Sequence, residues 1–202
     1  MAFYNRYVGM DDVHQNSIKE WEKAYLYLLK KLTFFWKGKR LILKNPSNTA
    51  RIKLLLGIFP NAKFIHIYRN PYNVFFSMLK FMIKVLPRYC VQNPIKKEEM
   101  EEMIFDVYSR LYKKYFEEKA LIPEKNLVEV RYENFIQQPL NELERIYGGL
   151  GLEGFEDNKK AFEDYIVTQS RIKTSKYNPD KEIKEKIYNN WKFAFDKLGY
   201  GA

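Results

Sequence analysis

The chain has 202 residues, 46% of them hydrophobic and 17% aromatic, which suffices for one substantial core and is too few for two comfortable ones. A formal charge of +10 favours an anionic partner, whether nucleotide, nucleic acid, acidic saccharide or membrane surface; lysines run along the whole chain, so a solvated basic surface is the plain alternative. Cys90 is the only cysteine, which excludes an internal disulfide framework and fits a reducing cytoplasm, and neither a signal peptide over Met1 to Asp12 nor a membrane-spanning apolar run is expected.

In chain order, Trp21, Ala24, Tyr25, Leu28, Leu29 and Leu32 recur at helical spacing between Ser17 and Phe35, with Gly38 as a stop. Arg40 to Lys44 is a short apolar run closed by Asn45-Pro46 and reads as a buried strand ending in a turn. Asn48 or Thr49 caps a helix to Gly57, and Pro60-Asn61 turns the chain into a second strand, Lys63 to Tyr68. A crossover of that length predicts that the two strands are parallel neighbours in an α/β sheet.

Asn70-Pro71 is a cap and first-turn proline for a helix that buries Val74, Phe75, Met78, Leu79 and Met82. A loop over Pro87 to Pro94 precedes a long helix from Lys97 to about Leu121. Leu127 to Tyr132 is a third strand and Pro139 to Tyr147 a helix, with Gly148 to Gly154 as a connection. Two helices close the chain, from Glu156 to about Gln169 and from Pro179 to Leu198, the last with Ile183, Ile187, Trp191 and Phe195 four apart.

In an open α/β sheet ligands sit beyond the carboxyl ends of parallel strands, where helix N-termini offer unpaired N–H groups. The candidate positions are therefore Lys44 to Asn48, Arg69 to Pro71 and Tyr132 to Asn134. At the second, a guanidinium stands at the strand end and Ser77 lies about 10 Å along the helix, on nearly the same side as Asn70. A long Arg and a short Ser so placed can converge on one phosphate through charge-assisted hydrogen bonds. The competing reading is a surface arginine and a serine bonded to its own helix.

Arg69-Asn-Pro followed by Ser77 resembles the 3'-phosphate-binding motif of sulfotransferases. Leu41 to Pro46 with Thr49-Ala-Arg51, and Phe59 to Ile65, resemble the strand, helix and strand before that motif in the bacterial and membrane-type branch. Val130 to Phe135 with Pro139 and Leu150-Gly-Leu152, then Ile187 to Trp191 and Leu198-Gly-Tyr200, resemble the segments that follow it. The resemblance spans roughly Arg40 to Tyr200 in consistent order and implies the P-loop-NTPase-like sulfotransferase fold: a parallel central sheet flanked by helices, with a helical C-terminal half. One domain is expected, with a helical segment over 1–38, an α/β nucleotide-binding part over 39–135 and a helical part over 136–202.

The resemblance further implies transfer of a sulfuryl group, without a metal, from 3'-phosphoadenosine 5'-phosphosulfate to a hydroxyl or amine on a small molecule or saccharide. It makes Arg69 and Ser77 ligands of the nucleotide's 3'-phosphate and puts Tyr132 near the adenine, although Tyr132 reads equally as a half-buried core aromatic. Lys44 approaches the sulfuryl group, where a fixed cation stabilises charge on the bridging oxygen; its competing reading is a lysine in solvent. Arg171 and Lys173, with Lys176 and Tyr177, occupy the segment where the family folds a basic loop over the nucleotide.

Two departures stand out. No strand and glycine-containing loop for the 5'-phosphosulfate precedes Leu41, so the chain resembles an N-terminally shortened member, and Pro46 stands where the cytosolic branch has a histidine. A non-catalytic nucleotide-binding remnant is therefore the second reading; a basic nucleic-acid-binding domain, for which no recognition motif is present, is the third. His66 reads as a core histidine, and Glu129 and Glu133 as solvated charges rather than an acid/base pair.

Overall fold

A computed structural model of the chain describes residues 6–89, 96–169, 177 and 180–201, which fall into two compact units. The first comprises the chain up to Pro60 together with Arg110–Leu121; the second comprises Asn61–Ser109 and the chain from Ile122 onward.

In the first unit, α1 (Gln15–Phe35) starts at His14, whose Nδ1 accepts from the Asn16 N–H at 3.3 Å. It buries Leu29, while Trp21 stacks on Tyr25 with centroids 4.8 Å apart. Arg51 is the buried polar centre here. Its Nε donates to the Val8 carbonyl at 3.0 Å, its Nη2 to the Tyr7 carbonyl, and its guanidinium lies over the Trp21 ring. A buried cation is tolerable when its N–H groups find acceptors in this way.

The segment Arg40–Lys44 differs from expectation. It is not a strand: it pairs with nothing among the described residues, and Ile42 is 88% exposed. The following helix is also broken in two. Asn45, not Asn48 or Thr49, provides the cap, accepting from Ser47 N–H at 3.0 Å to close a 3₁₀ turn over Pro46–Ala50; only after Arg51 does α2 (Ile52–Ile58) begin. Proline at the first position suits such a tight turn.

The second unit holds the sheet. β1 (Phe64–Tyr68) pairs directly with β2 (Leu127–Arg131), in parallel, with Phe64 opposite Leu127 and Tyr68 opposite Arg131. The connection runs through α3 (Pro71–Lys84) and α4 (Lys97–Glu118), the latter passing into the first unit after Ser109. After β2 come α5 (Tyr132–Gln137), α6 (Pro139–Gly149), α7 (Phe155–Gln169) and α8 (Lys181–Leu198). The parallel sheet and the helical C-terminal half are as expected of a sulfotransferase-type α/β fold, but the sheet has two strands among the described residues, not three.

Each face of the sheet is built by alternation. Val128 and Val130 point to the side where Ile146 and Leu150 of the α6 region cover them. Gly149 permits that approach, because a Cβ there would meet the Val128 side chain at 2.8 Å. On the opposite face, His66 is buried with Nδ1 3.6 Å from the Glu129 carboxylate. Away from the sheet, α3, the first half of α4 and α8 close around aromatic rings. Trp191 and Phe75 are fully buried, and Phe105 stacks on Phe75 at 4.9 Å.

Candidate functional site

At the carboxyl ends of β1 and β2 the second unit brings two of the expected residues together. β1 ends into Arg69 and Asn70; Asn70 Oδ1 accepts from the Tyr72 N–H at 2.9 Å, and Pro71 occupies the first turn of α3, so the strand-to-helix turn is closed as the Asn-Pro pair requires. β2 ends into Tyr132, the first residue of α5. The Arg69 guanidinium lies over the Tyr132 ring, 4.6 Å from its centroid. That contact uses the π face of Tyr132 and offers Arg69 no hydrogen-bond acceptor. Arg69 Nε is buried without a partner among the described residues.

A carboxylate fixes the two strand ends to each other. Glu133 Oε1 accepts from the Asn70 backbone N–H at 3.1 Å, and its Oε2 accepts from the Tyr200 hydroxyl at 2.6 Å. Tyr200 reaches it because Gly199, at φ 70°, ends α8 in the left-handed conformation and lets the Tyr200 N–H return to the Phe195 carbonyl at 3.0 Å. Burial first, then the bond to Glu133, pushes the Tyr200 phenol well above its ordinary pKa. The Arg131 guanidinium covers the Tyr200 ring at 4.1 Å and lies 3.8 Å from Glu133. Glu133 thus meets Asn70, Tyr200 and Arg131, whereas Arg69 Nε has no hydrogen-bond partner among the described residues.

Ser77 sits on α3 two turns after Asn70 with its side chain exposed; among the described residues nothing hydrogen-bonds it to Arg69. Beside it, Phe76 stacks on Tyr177 with centroids 5.3 Å apart. Tyr177 is the residue of the expected basic segment that the structure describes. Arg171 and Lys173 lie outside the described residues.

The chain matches the sulfotransferase family over residues 5–157. It is also 31% identical, over 98% of its own length, to the omega-hydroxy-beta-dihydromenaquinone-9 sulfotransferases Stf3 of Mycobacterium bovis and of Mycobacterium tuberculosis. The chain belongs to the sulfotransferase family. It spans about half the length of these curated relatives. No solved structure matches it.

Within this sulfotransferase-family chain, Lys44 belongs to the first unit, on the irregular segment before Asn45; its side chain is exposed and no hydrogen bond or ion pair among the described residues holds it. The histidines have local roles, His14 at the start of α1 and His66 in the sheet, and no metal-ligand cluster forms among the described residues. Glu133, which the sequence reads as a solvated charge, is instead part-buried and bonded to Asn70 and Tyr200, a pairing that reading the sequence misses. Glu133 and Tyr200 both fall within segments that resemble the family, but their contact joins positions 67 residues apart, which no local periodicity signals.

Proposed function

We propose that the chain acts in sulfuryl transfer from 3'-phosphoadenosine 5'-phosphosulfate to a hydroxyl on a small lipophilic acceptor, and that Arg69 receives the nucleotide's 3'-phosphate. The observation that carries this reading is the Arg69 guanidinium, supported by Tyr132 and left with a buried Nε that has no acceptor of its own. A phosphate oxygen supplies the missing acceptor, and a guanidinium suits phosphate by geometry as well as charge. The residues present therefore fit the group.

The donor brings an activated sulfuryl group on its 5'-phosphate. Arg69 binds the other end of the nucleotide, so its contribution is orientation. Ser77 is assigned as the neutral donor to the same phosphate, and Tyr132 sets the plane of the guanidinium while lying toward the base. The family pattern assigns Lys44 to the sulfuryl end, where its ammonium stabilises the charge that accumulates on the departing oxygen. The named substrate of the two mycobacterial relatives, a hydroxylated menaquinone, favours a small-molecule acceptor over a saccharide.

Equilibrium dialysis with sulfur-labelled donor tests this directly. The chain is expected to retain the label, to release it to excess adenosine 3',5'-bisphosphate and to keep it against adenosine 5'-monophosphate. Failure to retain label, or equal release by both nucleotides, removes the reading. The non-catalytic alternative draws on the exposed, unheld Lys44 and is separated by counting sulfated acceptor after the same incubation: retention without product supports it.

A further inference from the structure

The charge of this chain is segregated. Between Glu22 and Glu98 there is no acidic residue and there are sixteen basic ones, although the whole sequence carries 25 Asp and Glu. Inside that stretch, at the end of α1, three consecutive aromatic side chains stand in solvent: Phe34 is 89% exposed, Phe35 71% and Trp36 52%. Phe35 and Trp36 meet edge to face at 5.2 Å, so they form one projecting tip. Ile42 and Leu43, on the unpaired segment that follows, are exposed as well. Lys30, Lys31, Lys37, Lys39 and Arg40 are exposed around the tip, and none has an ion pair among the described residues.

The backbone of the tip is closed on itself. Lys37 and Gly38 adopt positive φ, 52° and 78°, and the chain reverses so that the Gly38 N–H reaches the Thr33 carbonyl at 2.8 Å and the Lys39 N–H the Trp36 carbonyl at 3.1 Å. Trp36 N–H is bonded to Leu32 at 2.9 Å. Entry into a poorly hydrated layer requires such internal pairing. No described helix is long and apolar enough to cross a membrane, so the feature is a surface one.

We propose that this aromatic tip and its lysine collar dock the first unit onto the surface of an anionic lipid bilayer. Aromatic rings at the level of the headgroups, flanked by lysine and arginine facing negative lipid, are what such an interface selects. Nucleic acid accounts for the cations but gives Ile42, Leu43 and Phe34 little to do. The proposal goes beyond sulfuryl transfer and does not rest on it, because its test contains no nucleotide.

The test is co-sedimentation of the chain with vesicles of phosphatidylcholine containing about a quarter phosphatidylglycerol, against pure phosphatidylcholine. The chain is expected to pellet with the first and to stay in solution with the second. Phe34→Ser/Phe35→Ser/Trp36→Ser should weaken anionic-vesicle binding by about tenfold or more, and Lys30→Glu/Lys31→Glu/Lys37→Glu on the order of a hundredfold. Both variants alter exposed positions and should keep the parent's circular dichroism and melting temperature. Equal pelleting with both vesicles, no pelleting at all, or undiminished binding by the aromatic variant overturns the proposal. So does a dimer in vesicle-free light scattering that the aromatic variant dissolves, which assigns the tip to a second copy. Retention of the parent on duplex DNA that the aromatic variant loses assigns it to nucleic acid.

Discussion

Arg69 and Glu133, at the ends of the two paired strands, differ in how their charges are held. Glu133 is satisfied by Asn70 and Tyr200, and Arg69 rests on a ring that cannot accept an N–H in its plane. The Tyr200 bond is charge-assisted, so Tyr200→Phe should destabilise the fold by about 1.5–3 kcal/mol near neutral pH. Its pH dependence follows from the raised phenol. A group that holds its proton more tightly when folded stabilises the native state fully below its unfolded pKa, and the contribution falls as pH rises past about 10 toward the folded value. Melting curves of the two proteins should therefore diverge at pH 7 and converge above pH 10; a constant difference across that window contradicts the assignment. The strand-to-helix turn at Asn70-Pro71 was readable because its motif is local. Tyr200 was not, because the left-handed turn at Gly199 delivers it to a partner far away in sequence.

At the scale of elements, the long helices were legible because their apolar spacing is a local property, while of the two strands that pair only β2 has its alternating valines covered by a helix; Ile65 and Ile67 of β1 are exposed, and the short α5 was not expected. The apolar run at Arg40–Lys44 reads just as well as a strand, but pairing requires a neighbour, and none is present among the described residues. The cap that stands at Asn45 rather than at Asn48 or Thr49 has a similar origin: all three side chains are competent, and Pro46 suits the first position of the turn that Asn45 closes. Trp191 is where the C-terminal helix becomes more than a periodic pattern. It departs from helical φ, is fully buried, stacks on Tyr108 at 3.9 Å and donates its indole N–H to the Phe105 carbonyl at 3.2 Å. Trp191→Ala should cost about 3–5 kcal/mol by removing that packing, measured by urea denaturation; a loss under about 1 kcal/mol means the site collapses and α8 is held elsewhere.

At the scale of the molecule, family membership was legible from motifs in consistent order, and the uneven placement of charge lies in the sequence too: lysines run along the whole chain, and it is the acidic residues that are missing between Glu22 and Glu98. Both proposals draw on that asymmetry, one placing a nucleotide phosphate at the basic strand end and the other a lipid surface at the aromatic tip. Arg69 as ligand of the 3'-phosphate can be tested directly. Thermal melts of the chain and of Arg69→Ala with adenosine 3',5'-bisphosphate and with adenosine 5'-monophosphate test it without any need for turnover. For the parent, the bisphosphate should add about 2.7 kcal/mol of stability at a hundred times its dissociation constant and the monophosphate much less. Arg69→Ala should lose most of that discrimination, about 1.5–3 kcal/mol. Equal stabilisation of the parent by both nucleotides, or a variant that still tells them apart, contradicts the assignment of Arg69 to the 3'-phosphate.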